Sequence, residues 1–377
     1  RGLGDVYKRQ AIYRIALGMM KGCNASIVKR MVERGVTPRE FFTLDLLSVY
    51  DALGLNSKNG FGANSREDSL QKAKNEYQFV SRHSIRVLSL ADDDYPWLLA
   101  EIPDAPVTLY MLGDAELNPM HSASIVGTRK PTKYGMSFCS RFCTDLCGYF
   151  PDLSIVSGLA LGIDAAAHTA ALDSGCQTIA VVAHGLDTLY PAANRDLARR
   201  IIKNGGAVIT EYPSGSTPHR SCFLERNRIV AGLSQLTVVV ESPIKGGAMS
   251  TANLAFNYDR EVMALPGRVT DDVSAGCNLL IRKEKAHLIG AAADVIEMMG
   301  WKPLGRRVAP KQRNLFPELE GTPGRIYELL KFESDPVSVD VIHLRTGISV
   351  PELMGALTEL EFDGIITRQP GNRYSIS

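Results

Sequence analysis

Leu153-Ser154-Ile155-Val156-Ser157-Gly158-Leu159-Ala160-Leu161-Gly162-Ile163-Asp164 is the stretch that decides the fold. Residues 153–156 are a short β-rich run, two glycines four apart follow, and a helical stretch occupies 164–174. The same unit recurs on both sides. Further β-rich runs stand at 124–126, 178–182, 207–210, 236–240 and 262–265. Helical stretches at about 134–148, 194–204, 223–233, 248–259 and 276–285 alternate with them. Near-continuous apolar strands separated by helices predict an α/β domain over about 121–300. Its sheet is doubly wound, mostly parallel and covered on both faces, a Rossmann-like arrangement. Ligands of such sheets bind beyond the carboxyl ends of the strands, so the loops there carry the chemistry.

The first such loop is Gly127-Thr128-Arg129, with Lys130 and Lys133 after it. Glycine lets a ligand approach the backbone, threonine offers a hydroxyl, and arginine presents a planar fork that matches phosphate oxygens. A surface loop of solvated charges has the same composition. Tyr134 is placed to stack on a base or cover a pocket. In the second loop Ser157, Gly158 and Gly162 precede a helix start, where a nest of amides attracts anions. It matches neither the Walker loop nor the dinucleotide fingerprint. Asp164 is expected to cap the helix, and His168, one turn on, to form a structural pair with it rather than an acid–base pair. The third loop runs from Glu241-Ser242-Pro243 through Lys245, Gly246 and Gly247 to Ser250 and Thr251. One glycine- and hydroxyl-rich loop is weak evidence; three on one sheet edge are stronger. Arg195 adds a cation after the third strand, and Phe223-Leu224-Glu225-Arg226-Asn227-Arg228 follows the fourth. Arg226 and Arg228 cannot face the same way on a helix, so one reaches ligand while the other pairs with Glu225 or Glu241. The site assignment takes Asn227 and Arg228.

Composition limits the alternatives. The formal net charge is +1, so any polyanion site depends on local placement rather than on the field of the whole chain. No apolar run approaches a membrane span, and no signal peptide opens the sequence. With seven cysteines, an odd number, reduced cytoplasmic thiols are the expectation. Cys139, Cys143 and Cys147 are four apart and read as a buried helix face rather than a metal site. No zinc-protease, nucleophile-elbow or paired-carboxylate motif stands out. Ser157, Asp164 and His168 imitate a triad, but strand, turn and helix explain them without catalysis. The expectation is no catalytic residues, no metal and no cofactor.

The flanks differ in kind. Asp5-Val6-Tyr7-Lys8-Arg9-Gln10 reads as a translated sequencing adapter, so residues 1–10 are expected to be an assembly scar. Residues 11–85 read as a helical, SAM-like domain, with Gly22-Cys23-Asn24 separating two short helices and Asn24 capping the second. Further helices are expected at 45–55 and 67–81. Helix pairs of this kind sometimes grip DNA, but a packing unit is the plainer reading. Residues 86–120, with Asp92-Asp93-Asp94 and prolines at 103, 106 and 119, read as a turn-rich connector. The acidic triplet reads as a solvated turn rather than a metal site. Residues 301–322 read as a linker and 323–377 as a winged helix, with helices near 324–332, 338–346 and 350–362 before a hairpin. Its third helix carries Glu352, Glu359 and Glu361 without Lys or Arg, which phosphate would repel. Arg368 and Arg373 on the wing leave weak backbone contact, so a protein-contact or regulatory role is favoured.

Taken together, Ile125-Val126-Gly127-Thr128-Arg129, Ser157 to His168, Gly185-Leu186-Asp187 with Tyr190-Pro191, Glu225 to Ile229, Gly247-Ala248-Met249 with Thr251-Ala252, Leu265-Pro266-Gly267 and Gly276-Cys277-Asn278 with Leu280-Ile281 resemble the DNA-processing protein A family, also called DprA or Smf. With the flanking units the resemblance covers nearly all of 11–377. It implies a cytoplasmic, non-catalytic homodimer, joined through the α/β domain, that binds single-stranded DNA, protects incoming strands and loads the RecA recombinase in natural transformation. The family's phosphate-gripping motifs map onto Gly127, Thr128 and Arg129 and onto Ser157, Gly158, Gly162 and Asp164. Where many members have Gly-Ser-Leu this chain has Gly247-Ala248-Met249. Thr188 and Leu189 stand where some members carry a Lys, so Arg195 or Arg199 is expected to replace it. The alternative is a nucleotide hydrolase on a related fold, using Asp164 and His168; the chain lacks the Pro-Gly-Gly-x-Gly-Thr-x-x-Glu signature of those enzymes.

Overall fold

The computed structural model describes residues 2–55, 63–303, 321–331, 333, 335–362, 365–369 and 371–376. They belong to two units, Arg1–Arg307 and Val308–Ser377.

The larger unit opens on helices α1 (Gly2–Met19), α2 (Ala25–Glu33), α3 (Pro38–Thr43), α4 (Leu46–Leu53) and α5 (Ala63–Arg82). Short polar side chains start α2 and α4, the first of them the Asn24 cap read from the sequence. Asn24 accepts from the Ile27 amide, and Asp45 accepts from the Ser48 amide. Helix α3 was not foreseen: Thr37 and Glu40 form a reciprocal capping box that starts this short helix at Pro38. The α1 helix runs through most of the segment expected to be an assembly scar. Ile15, Leu17, Met31, Phe41 and Leu53 are fully buried together, and Tyr110 of the neighbouring sheet belongs to the same cluster. The helices therefore pack on the α/β domain.

The connector reading of 86–120 is corrected. It holds β1 (Arg86–Ser89), the short α6 (Trp97–Glu101) and β2 (Thr108–Gly113). The prolines at 103, 106 and 119 bracket β2 rather than interrupt it, and its Thr108-Leu109-Tyr110-Met111 run is buried. Asp92 accepts from Arg14 and from the Ser89 amide, and Asp94 pairs with Arg86, so the acidic triplet braces this segment.

Next come β3 (His121–Gly127), α7 (Lys133–Tyr149), β4 (Leu153–Ser157), α8 (Ile163–Asp173), β5 (Gln177–Val181), α9 (Arg195–Lys203), β6 (Ala207–Thr210), α10 (Arg220–Gly232), β7 (Leu236–Val240), α11 (Gly247–Asn257), β8 (Glu261–Ala264), α12 (Ala275–Arg282), β9 (His287–Leu288) and α13 (Ala292–Met299). The strands lie in the order β1-β2-β6-β5-β4-β3-β7-β8-β9. From β6 to β9 every neighbouring pair is parallel; β2 runs antiparallel to β6, and β1 to β2. Neighbouring residues of one strand feed opposite faces, as the pleat requires. Ile125 packs with Phe138, Phe142 and Ile163 of α7 and α8, whereas Val126 joins Ile229, Ala248 and Ala252 of α10 and α11. Each fully buried branched side chain contributes roughly 1.5–3 kcal/mol. Cys139, Cys143 and Cys147 are buried within the α7–α8 layer. The short β9 and α13 were not foreseen in the sequence. Trp301, assigned to the linker, packs on His121 and Phe150 with ring centroids 4.7 and 5.3 Å away.

In the smaller unit, α14 (Gly321–Lys331), α15 (Val339–Thr346) and α16 (Val350–Phe362) enclose a core of Ile326, Ile342, Leu353 and Leu357. Strands β10 (Val337–Ser338), β11 (Ile366–Gln369) and β12 (Arg373–Ile376) form a sheet in the order β10-β12-β11, completing a winged helix. Helix α14 begins three residues before the expected start, and most of the expected linker lies outside the described residues.

Candidate functional site

Chain order reverses between β3 and β7. From β3 the chain builds outward through β4, β5 and β6; it then returns to start β7 on the other side. Loops leaving the two strands in opposite directions open a crevice at their carboxyl ends. Here it is a cleft of about 620 Å³.

The loop after β3 is held from across the crevice. The Thr128 amide donates to the Glu241 carbonyl at 2.8 Å, and the Glu241 carboxylate accepts from the Thr132 amide at 2.8 Å and from its hydroxyl. Glu241 has a φ of +53°, a region costly for a residue with a β-carbon. The strain is local, and it turns one residue into the brace of two loops. Arg129 projects from this loop, exposed, with its guanidinium 5.6 Å from the centre of the Phe223 ring. Tyr134, foreseen as a base-stacking group or cover, donates its hydroxyl to the Pro266 carbonyl at 3.0 Å.

The loop after β4 behaves differently from the expected anion nest. Asp164 fills it: its Oδ2 accepts from the Gly158 amide at 3.1 Å and the Ala160 amide at 3.3 Å. The nest thus holds the chain's own carboxylate. Ser157 is fully buried and donates to the Ile125 carbonyl at 2.6 Å, so it ties β4 to β3. Gly162 adopts a φ of +83°, and a β-carbon there would lie 2.4 Å from the Thr128 carbonyl. Both residues shape the cleft without lining it.

Arg226 forms the floor. It is 5% exposed, and its Nη1 donates to the Val181 carbonyl at 2.7 Å. The guanidinium occupies the space a side chain at 158 would need: a β-carbon on Gly158 would sit 1.9 Å from Nη1. Burial pushes the Asp164 carboxyl above the usual carboxylate range, while the Arg226 charge and the loop amides pull it back. Arg228, the assigned partner for DNA, points elsewhere. It makes a two-pronged pair with Glu211 at 2.9 and 2.6 Å. Two residues apart on a helix means opposite directions, and Glu211, rather than Glu225 or Glu241, takes the outward arginine. Glu225 accepts from the Tyr212 hydroxyl at 2.9 Å.

The wall beyond is the loop after β7 and the start of α11. Lys245, Gly246, Gly247, Ser250 and Thr251 line it, and the N-cap of α11, Gly246, offers its amides no side-chain cap. Thus Gly127, Thr128, Arg129, Gly158, Asp164, Asn227, Lys245, Gly246, Gly247, Ser250 and Thr251 line one cleft. Lys130 and Arg195 are exposed outside the cleft lining. The site assignment left out Arg220, Phe223 and Arg226, which line it, whereas the assigned Arg228 is not among the lining residues. The position of Arg220 on the first turn of α10, six residues before Arg226, was the available signal.

His168 takes no part in this cleft. It is sealed from solvent, with Nδ1 2.7 Å from the Thr178 hydroxyl. That hydroxyl donates its proton to the Ile155 carbonyl at 2.7 Å, so Nδ1 carries the histidine proton. Nε2 has no partner among the described residues. Burial, then the Arg226 charge, pushes the pKa down to about 3. The unfolded chain, with an ordinary histidine, takes up the proton first, so stability falls as pH drops below about 6.5. By pH 5 the loss from this group is about 2 kcal/mol. In urea titrations His168→Asn is expected to be less stable at pH 7 yet to lose less on going to pH 5. Equal losses in both proteins would place the proton uptake elsewhere.

Residues 86–300 match the family model of DNA recombination-mediator protein A, and 310–372 match that of the DprA winged helix domain. Protein Smf of Synechocystis sp. is 32% identical over 400 residues, covering 96% of this chain and 98% of that protein. Among solved structures, DNA processing protein A from Streptococcus pneumoniae superposes with a TM-score of 0.63 at 33% identity, covering 76% of this chain and 96% of that one. DNA processing protein A from Helicobacter pylori, a structure concerned with its single-stranded DNA binding mode, gives 0.52 at 31% identity, covering 58% of this chain and 97% of that one. With a reversed sheet edge built from the quoted motifs and matches over both units, the chain belongs to the DNA recombination-mediator protein A family, also called DprA or Smf.

Proposed function

We propose that the cleft grips the backbone of single-stranded DNA, and that the protein, as a cytoplasmic homodimer, protects that strand and loads RecA onto it during natural transformation. The observation that carries this reading is the convergence of Arg129, Arg220, Arg226 and Lys245 on one cleft beside uncapped α11 amides, in a chain of net charge +1. Concentrated local charge of this kind attracts a polyanion where the whole-chain field does not. The single-strand binding mode of the Helicobacter pylori relative supports it. No helix among the described residues is long and apolar enough to cross a membrane.

The hydrolase alternative requires Asp164 and His168 to share work at the cleft. Asp164 is engaged by two loop amides, and His168 is sealed against Thr178. The winged helix fits a protein-contact or regulatory role better than it fits phosphate: α16 presents Glu352, Glu359 and Glu361, and Glu352 accepts from Thr322. RecA filament assembly on single strands precoated with single-strand-binding protein tests the reading. Addition of this chain is expected to shorten the lag before filaments form. An unchanged lag, with the strand nonetheless bound, would remove recombinase loading from the function.

A further inference from the structure

The helices of the N-terminal segment contact the loop that precedes α10. Glu76 on α5 is buried, and its carboxylate accepts from the Ser214 amide at 2.9 Å and from the Ser214 hydroxyl at 2.5 Å. These residues are 138 positions apart. A gap of about 580 Å³ opens beside this contact, lined by Gly18, Lys72, Asn75 and Pro213 among others. The two hydrogen bonds tie Ser214 to α5 at this point. On its other side the same turn is held by Asp187, which accepts from the Gly215 amide at 3.0 Å, and by the Gly185 amide, which donates to the Ser216 carbonyl at 3.0 Å. The turn leads directly to His219, whose ring accepts from the Ser221 amide at the start of α10. The first two turns of α10 then deliver Arg220, Phe223, Arg226 and Asn227 to the cleft.

We infer that Glu76 is a positioning residue for the strand-binding cleft: through Ser214 the N-terminal helices set where α10 begins, and so where its cations and the Phe223 platform for Arg129 stand. The inference rests on the single-strand reading of the cleft. Its sign separates it from simple electrostatics. Removing a negative charge ought to tighten binding of a polyanion, whereas removing a positioning contact weakens it.

The test uses the full chain, a labelled oligothymidylate and amide hydrogen exchange across 214–226. Glu76→Ala is expected to weaken binding about tenfold, equivalent to about 1.4 kcal/mol, with the salt slope unchanged because no phosphate contact is removed. Exchange over 214–223 is expected to quicken. Glu76→Gln keeps an acceptor for the Ser214 amide and loses the charge, so it is expected to stay within about threefold of the parent. Parental or tighter binding by Glu76→Ala overturns the inference. If that variant does not fold, Ser214→Ala must show the same direction of loss, and parental binding there overturns it equally. If the parent chain itself retains no oligonucleotide, the single-strand reading is what fails, and unchanged exchange in the variants would then sink the positioning role as well.

Discussion

Arg129→Glu is expected to reduce affinity for a single-stranded oligonucleotide by at least about 100-fold at moderate salt while leaving the fold intact. The size follows from where Arg129 stands. It is exposed at the tip of the loop after β3, and no carboxylate among the described residues pairs with it. Its guanidinium rests over Phe223, so its geometry is set before any ligand arrives. A charge-assisted hydrogen bond contributes roughly 1.5–3 kcal/mol, and reversal adds repulsion in place of attraction. The fold is indifferent because the side chain bridges nothing in the core. The salt dependence supplies a second reading. Each phosphate contact on a single strand contributes about 0.7 to the slope of log K against log salt, so the variant's slope is expected to be shallower by at least that much. Parental affinity and slope in Arg129→Glu would mean that the strand is gripped elsewhere.

Much of the α/β domain was legible because its strands are buried on both faces. The runs at 207–210 and 236–240 coincide with β6 and β7, since an uninterrupted apolar stretch of that length between helices has few other ways to fold. β2 escaped for a local reason: prolines and an acidic triplet surround it, and its own Thr108-Leu109-Tyr110-Met111 run looked like part of the turn-rich chain. β9, two residues long, carries no periodicity to read. The family resemblance was carried by loops, and loops are where the cleft is.

The residue roles were less legible than their location. Glycine at 158 was read as part of an anion-attracting nest; the space a side chain there would need is taken by Arg226. The helix start at 163 was read as an anion site, but Asp164 already satisfies its loop. In both cases local sequence identified a position that must be small or charged, while the partner lay 68 or 6 residues away in the chain. The 226/228 choice turned on Glu211, which follows β6 and has no sequence signal linking it to Arg228.

Arg226 and Asp164, buried together at the floor of the cleft, yield the second large effect. Arg226→Met is expected to destabilise the protein by about 3–5 kcal/mol and to abolish measurable strand binding. The arginine is nearly sealed, donates to the Val181 carbonyl and supplies the positive charge that offsets the cost of burying Asp164. Without it, Asp164 is an uncompensated buried carboxylate. Its pKa, already raised by burial, rises further, and a raised folded-state pKa gives stability that is lost as pH increases through it. The variant is therefore expected to be relatively better at pH 5 than at pH 8, opposite to the direction set by His168. Adding Asp164→Asn removes the stranded charge while keeping a carbonyl for the Gly158 and Ala160 amides. The double variant is then expected to regain about 1–3 kcal/mol relative to the sum of the single losses. Strand binding is not expected to return with stability, because the cation at the floor is still absent. Denaturant unfolding of the four proteins at pH 5 and pH 8 measures both terms. Strictly additive losses at both pH values would show that Arg226 and Asp164 stand in the cleft as independent groups, and that the floor is held by packing alone.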